Sequence, residues 1–146
     1  MEPTQGLAID FQLKGERLAF LSEAWFGKGA GTYFVAALQT LNRETTQAIE
    51  SVGGWADVSC KINSCLTTHL GYGVDDPKNS QLGFVDRTNL GIGQRSFNQV
   101  AWWNAILNVT DSWELSLETS YRQTKFIATD ARNDGFLIRT ASAFYF

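Results

Sequence analysis

The chain has 146 residues with 12 Lys+Arg against 15 Asp+Glu, a net charge of -3, and no basic run, which argues against a nucleic-acid footprint or a basic membrane-surface helix. Hydrophobic residues at 44%, aromatics at 13%, thirteen glycines and two prolines exclude disorder and favour strands joined by turns. No apolar stretch approaches the ~18 residues of a membrane-spanning helix, yet alternating apolar and polar residues would hide a membrane strand from that test. Met1 to Thr4 has neither a basic segment nor an apolar run, so no secretory signal is visible and the chain reads as cytoplasmic or as a fragment.

In chain order, the first alternating segment is Leu7 to Lys14, with Leu7, Ile9, Phe11 and Leu13 on one face and Ala8, Asp10, Gln12 and Lys14 on the other. Leu18 to Phe26 follows, setting Phe20, Ala24 and Phe26 against Leu21, Glu23 and Trp25. Between residues 27 and 53 lies the longest connection, whose stretch Thr32 to Leu41 is too apolar for open water and is expected to pack against a wall or into a barrel mouth. Trp55 to Ile62 separates Ala56, Val58 and Cys60 from Trp55, Asp57, Ser59 and Lys61, and Cys65 to Val74 separates Leu66, Leu70 and Tyr72 from Thr67 and His69. After a polar loop over 75–96, Phe97 to Val109 is blurred by Trp102-Trp103, although Asn98, Asn104 and Asn108 share a parity. Trp113 to Thr124 is the clearest strand: Trp, Leu, Leu, Thr and Tyr alternate with Glu114, Ser116, Glu118, Ser120, Arg122 and Thr124. At ~3.3 Å per residue it reaches roughly 40 Å, beyond the ~17–20 Å of globular strands. Phe136 to Phe146 closes the chain with Ile138, Phe144 and Phe146 opposite Arg139, Ala141, Ala143 and Tyr145.

Counted back from the end, long and short connections alternate strictly, so long loops fall on one side of the sheet and tight turns on the other. A soluble meander has no reason to sort them so, whereas transmembrane barrels have short periplasmic turns and long outer loops. The expected fold is all-β: an antiparallel up-and-down transmembrane barrel, with residues 1–146 one partial domain supplying its last seven or eight strands. The loop over 27–53 would be extracellular or inserted in the pore, and that over 75–96 extracellular.

The terminal Thr140-Ala-Ser-Ala-Phe-Tyr-Phe146 resembles the outer-membrane assembly signal, an alternating last strand ending in an aromatic. With Ser22 to Gly27, Gly53 to Ala56, His69 to Pro77 and Gln94 to Val100, the chain over roughly 6–146 resembles the C-terminal part of porin-like bacterial outer-membrane barrels. That resemblance implies outer-membrane lipid, the assembly machinery and small hydrophilic solutes as partners, the machinery reading Phe144, Tyr145 and Phe146; a homotrimer is left open. Single-chain barrels carry an even strand number from eight upward, so seven strands imply that others lie upstream.

On this reading the polar face lines a lumen, and its selectivity candidates are Asp10, Lys14, Glu23, Asp57, Lys61, His69, Glu114, Glu118, Arg122 and Arg139. For any one of them, a wall-stiffening ion pair or a solvated group is the simpler role. No catalytic constellation emerges: Glu114 and Glu118, four apart on one strand, stand roughly 13 Å apart, too far for a glycosidase pair, and the single His has no nucleophile motif beside it. No metal or cofactor is expected, Asp75-Asp76-Pro77 reading as a turn rather than a calcium shell. Cys60 and Cys65, spaced C-x4-C, are too few for zinc and allow a disulfide across a hairpin base, although their parities place them on opposite faces. Trp25, Phe26, Trp55, Tyr72, Trp113, Tyr145 and Phe146 suit interfacial girdles. The expected function is a non-enzymatic passive channel for small hydrophilic solutes; a ligand-binding calyx and a structural barrel without conductance are the alternatives.

Overall fold

The computed structural model describes residues 4–30, 39–84, 93–128 and 132–146, and the apolar stretch Thr32 to Leu41 lies largely outside them. Seven strands follow in order: β1 (Gln5–Lys14), β2 (Leu18–Lys28), β3 (Glu50–Lys61), β4 (Leu66–Pro77), β5 (Arg95–Thr110), β6 (Trp113–Phe126) and β7 (Arg132–Phe144). They form one sheet in the order β1-β2-β3-β4-β5-β6-β7, each antiparallel to its sequence neighbour. The expected all-β, up-and-down architecture is therefore what the chain adopts. Seven alternating directions leave β1 and β7 running the same way at the two edges, and these edges do not pair with each other.

Strand ends differ from the periodicity in instructive places. β3 begins at Glu50 rather than Trp55, because Val52, Gly53 and Gly54 continue the ladder against Phe26, Trp25 and Ala24 despite the two glycines. Asp75-Asp76-Pro77, expected as a turn, is the end of β4: proline there supplies no donor, which a strand terminus tolerates. Trp102-Trp103 does not break β5; successive side chains leave opposite faces, so each face receives one indole.

The tight connections after Lys14, Lys61 and Thr110 sit at one end, and the longer connections after Lys28, Pro77 and Phe126 at the other. Asn63 builds one tight turn, its Oδ1 accepting the backbone N–H groups of Cys65 and Leu66 at 2.8 Å. At the opposite end the loops interlock through backbone-mimicking amides. Gln39 donates to Arg95 O and accepts from Arg95 N. Gln94 accepts from Gly83 N at 2.7 Å and donates to Leu41 O at 3.0 Å. Ile49, Leu82, Ala30 and Ala48 are buried in this loop cluster, so a small apolar core caps the long-loop end.

The two faces of the sheet are inverted relative to a soluble protein. One carries Leu7, Ile9, Phe11, Leu18, Phe26, Val58, Leu70, Tyr72, Leu117, Ile138 and Phe144, all exposed, Leu70 by 64%. The other holds Asp57, Asp75, Asn98 and Ser120, each less than one-tenth exposed. Exposed apolar area on this scale is unstable in water and natural in lipid. On β2, β4, β6 and β7 the apolar outer face spans Leu18 to Phe26, Leu66 to Val74, Trp113 to Tyr121 and Phe136 to Phe144. About nine residues at ~3.3 Å each, tilted by ~40°, rise roughly 23 Å, which matches the ~25 Å apolar band of outer-membrane barrels.

Polar residues resume on the outer face beyond that band, at the long-loop end. There Arg132 Nε reaches Asp134 Oδ1 at 2.9 Å, Tyr72 donates to Gln99 Oε1 at 2.6 Å, and Lys125 lies 5.4 Å from the centroid of the Phe97 ring. Lys78 sits 2.8 Å from Glu50 Oε2, and its hydrogen bond, with a second from Gln81, holds the Glu50 carboxyl below the ordinary carboxylate range. At the tight-turn end Trp113 stacks on Phe144, ring centroids 5.6 Å apart, and donates from Nε1 to Ser142 Oγ. Phe26, Tyr72 and Trp113 face outward as a girdle requires; Trp25 and Trp55 do not, since the register places them on the polar face beside Glu23 and Asp57.

If the exposed apolar face is lipid-facing, depth should decide the cost of a charge. Leu70→Arg, near the middle of the band, should destabilise folding into lipid vesicles by roughly 2–4 kcal/mol, whereas Ser59→Arg on the opposite face should cost far less. Urea titrations of the reconstituted protein would compare them, and equal costs would refute the assignment of faces.

Candidate functional site: the polar wall

All ten polar-face residues named from the sequence fall on one face, because directly opposed residues in an antiparallel ladder share a side. One row runs Asp10, Glu23, Trp55, Gly73, Val100, Arg122 and Gly135; the next runs Gln12, Leu21, Asp57, Gly71, Trp102, Ser120 and Leu137. A third runs Lys14, Ala19, Ser59, His69, Asn104, Glu118 and Arg139. Lys61 and Glu114 lie nearer the tight-turn end. Carboxylates and cations are interleaved along the wall: Asp10, Lys14, Glu23, Asp57 and Lys61 stand on β1 to β3, and Glu114, Glu118, Arg122 and Arg139 on β6 and β7.

The wall's most constrained group is Asp57, 8% exposed. Its Oδ1 lies 2.9 Å from His69 Nδ1 and its Oδ2 accepts from Trp102 Nε1 at 3.1 Å. These partners come from β4 and β5, so the indole must cross β4 to reach β3. Gly71, paired with both Asp57 and Trp102, makes the crossing feasible: a Cβ there would fall inside the Trp102 ring. The same device recurs one strand earlier, where a Cβ at Gly53 would lie 2.5 Å from Trp25 Cζ2. Two indoles therefore lie flat against glycine backbone on this face.

A carboxylate satisfies both contacts of Asp57 together, and it requires the His69 proton on Nδ1 when the ring is neutral, leaving Nε2 as an acceptor. Glu118 and Arg139, opposed across β6 and β7, approach to 3.8 Å as a partly exposed ion pair. Such pairs contribute little stability and instead localise charge. Trp102 is the constituent of this wall that sequence reasoning missed; the parity shared by Asn98, Asn104 and Asn108 already placed it on the polar face.

Other expectations resolve differently. Both cysteines are free thiols. The register pairs Cys60 with Thr68, while Cys65 sits within the turn that Asn63 organises, so the cross-hairpin disulfide that the spacing allowed is not formed, in keeping with their opposite parities. Asp75 and Asp76 point to opposite faces, paired with Gly53 and Val52 respectively, and cannot share a cation. Among the described residues, no cluster of three or more His, Cys, Asp or Glu could hold a metal ion.

This arrangement, apolar side chains outward and hydrogen-bonded polar groups inward on an up-and-down antiparallel sheet, defines part of a transmembrane β-barrel wall. The fold is that of the outer membrane channel DcaP of Acinetobacter baumannii, whose crystal structure superposes with a TM-score of 0.81 at 16% sequence identity over 97% of this chain. The chain spans 41% of the length of that channel. No protein-family model and no curated protein sequence matches.

Removing the clearance under Trp102 should be costly in a diagnostic way. Gly71→Ala should destabilise the folded protein by about 1–3 kcal/mol through overpacking, and the penalty should largely vanish in a Trp102→Ala background. Additive costs in that double-mutant cycle would show that the indole does not depend on Gly71.

Proposed function

We propose that the chain forms part of the wall of a passive, non-enzymatic outer-membrane channel for small hydrophilic solutes. The observation that carries this reading is the inner face: Asp10, Glu23, Asp57, Glu118, Arg122 and Arg139 share a side that an apolar-ligand calyx would line with hydrocarbon. The likeness in fold to a bacterial outer membrane channel supports the same location and class. Acidic and basic groups interleaved along this face would create local fields at the wall of a water-filled lumen, favouring solutes by charge and dipole.

Open edges support a larger assembly. Unpaired backbone groups in lipid cost several kcal/mol each, so β1 and β7 require partners. Because these edges run the same way, closing an all-antiparallel barrel takes an odd number of additional strands. The interlocked loops around Gln94 would stand at the outer mouth, and Phe144, Tyr145 and Phe146 would present the terminal aromatic signal to the assembly machinery at the opposite rim.

Planar-bilayer recordings test the channel: reconstituted protein should give stepwise, ohmic conductance in KCl, and a folded barrel that never conducts would leave only a structural role. Phe146→Ala should lower the fraction assembled in the outer membrane in cells while leaving detergent refolding unchanged. Unimpaired assembly would remove Phe146 from that role.

A further inference from the structure

Beyond the apolar band, the outward face at the long-loop rim carries a row that runs Phe97, Lys125 and Arg132 across β5, β6 and β7. Lys125 and Arg132 are directly opposed, which sets their Cβ atoms ~4.5–5.5 Å apart, and like charges so placed repel unless an anion lies between them. Each side chain turns to a different partner. Lys125 Nζ stands 5.4 Å from the centroid of the Phe97 ring, while Arg132 Nε reaches Asp134 Oδ1 at 2.9 Å and Oδ2 at 3.0 Å. Arg132 Nη2 donates to Tyr121 Oη at 3.2 Å, so the guanidinium is held in orientation with its Nη1 donors unused among the described residues. Among the same residues the Lys125 ammonium, with three donors, has only the ring contact.

The rows beneath are layered by depth. Gln99, Gln123 and Asp134 come next, and then Tyr72, Ala101, Tyr121 and Phe136. Ala101 is the small member of that row, between two tyrosines whose hydroxyls reach upward to Gln99 and Arg132. Trp103 and Ile138 continue the apolar band below, 40% and 61% exposed. Four residues at ~3.3 Å each, tilted by ~40°, lift the cations roughly 10 Å above the tyrosines, into the headgroup layer. The other charges on the outward side of this rim among the described residues are Lys28, Glu50, Asp76 and Lys78; Lys78 is held by Glu50, and Asp76 stands two strands, about 10 Å, from Lys125. On β6 and β7, two cations face the one carboxylate of Asp134.

We propose that this corner of the outward face binds the phosphate of a membrane-lipid headgroup: the phosphate sits between Lys125 and Arg132, accepting from Lys125 Nζ and Arg132 Nη1, and an acyl chain lies over Ala101 and Trp103. A phosphomonoester, carrying about -1.5 to -2 at pH 7, supplies the anion that the opposed cations lack and outweighs Asp134. The site needs only that this face meets lipid, so it stands or falls apart from conductance.

Trp103 supplies the readout, since a brominated acyl chain quenches an indole it touches. Three probes separate the parts: a dibrominated phosphatidate, the matching diacylglycerol without the phosphate, and glycerol 3-phosphate without the chains. With the folded protein in neutral detergent micelles, phosphatidate should quench at lower concentration than diacylglycerol, Trp103→Phe should remove most of that difference, and glycerol 3-phosphate should not compete at concentrations where phosphatidate saturates. Lys125→Gln should raise the half-quenching concentration about fivefold, the contribution of one basic side chain at a membrane surface. It removes only the Phe97 ring contact, so folding should be kept. Arg132→Gln should weaken binding further, whereas Lys78→Gln, at the same rim but held by Glu50, should leave it unchanged. Equal quenching by phosphatidate and diacylglycerol would overturn the site. So would competition by glycerol 3-phosphate at matching concentration, or an equal loss in Lys78→Gln and Lys125→Gln.

Discussion

The structure depends on one constraint: backbone N–H and C=O groups cannot be left unpaired where side chains face hydrocarbon. Six antiparallel ladders between consecutive strands meet that requirement across the sheet, and they free the side chains to sort by face alone. The outward face is then predominantly apolar over a band of membrane thickness, and the charged side chains of the wall are turned inward. The apolar band stops at a polar fringe containing Arg132, Asp134 and Gln99, the last accepting from Tyr72 at the band's edge, and at the other rim at the Trp113–Phe144 stack, where rings tolerate the boundary between headgroups and tails.

An inward polar face has to be held in place as firmly as an apolar core, but by other means. Close packing is achieved by laying Trp102 and Trp25 on the bare backbone of Gly71 and Gly53, positions where any side chain would lift the ring away. Hydrogen bonds then tie the indole of one strand to a carboxylate two strands distant. The outcome is a wall whose charges have fixed directions. A charge fixed in orientation needs no reorganisation to meet a group of opposite charge.

The two ends of the sheet are built for different work. Tight turns such as the Asn63 bend need only reverse the chain, whereas the connections at the other end bury Ile49 and Leu82 and exchange side-chain amides with one another. The asymmetry gives the sheet a direction. Sharing this architecture with DcaP at 16% identity is physically reasonable, since alternation and turn placement specify the wall while leaving residue identities free on both faces.

The strands, their faces and the sorting of long and short connections were legible in the sequence because alternation is a local property: successive Cβ atoms leave opposite sides of a strand whatever it pairs with. That period placed Asp57, His69, Glu118 and Arg139 on one side without any knowledge of their neighbours. It could not say that Asp57 would meet Trp102, 45 residues away, or that Gly71 exists to let them touch. Nor could it show that Asp75 and Asp76 extend a strand or that Cys60 opposes Thr68 rather than Cys65. Those outcomes depend on cross-strand register, which is fixed jointly by turn geometry and by packing across several strands. Which face a residue occupies was written locally; which partners it finds there was decided only when seven strands came together.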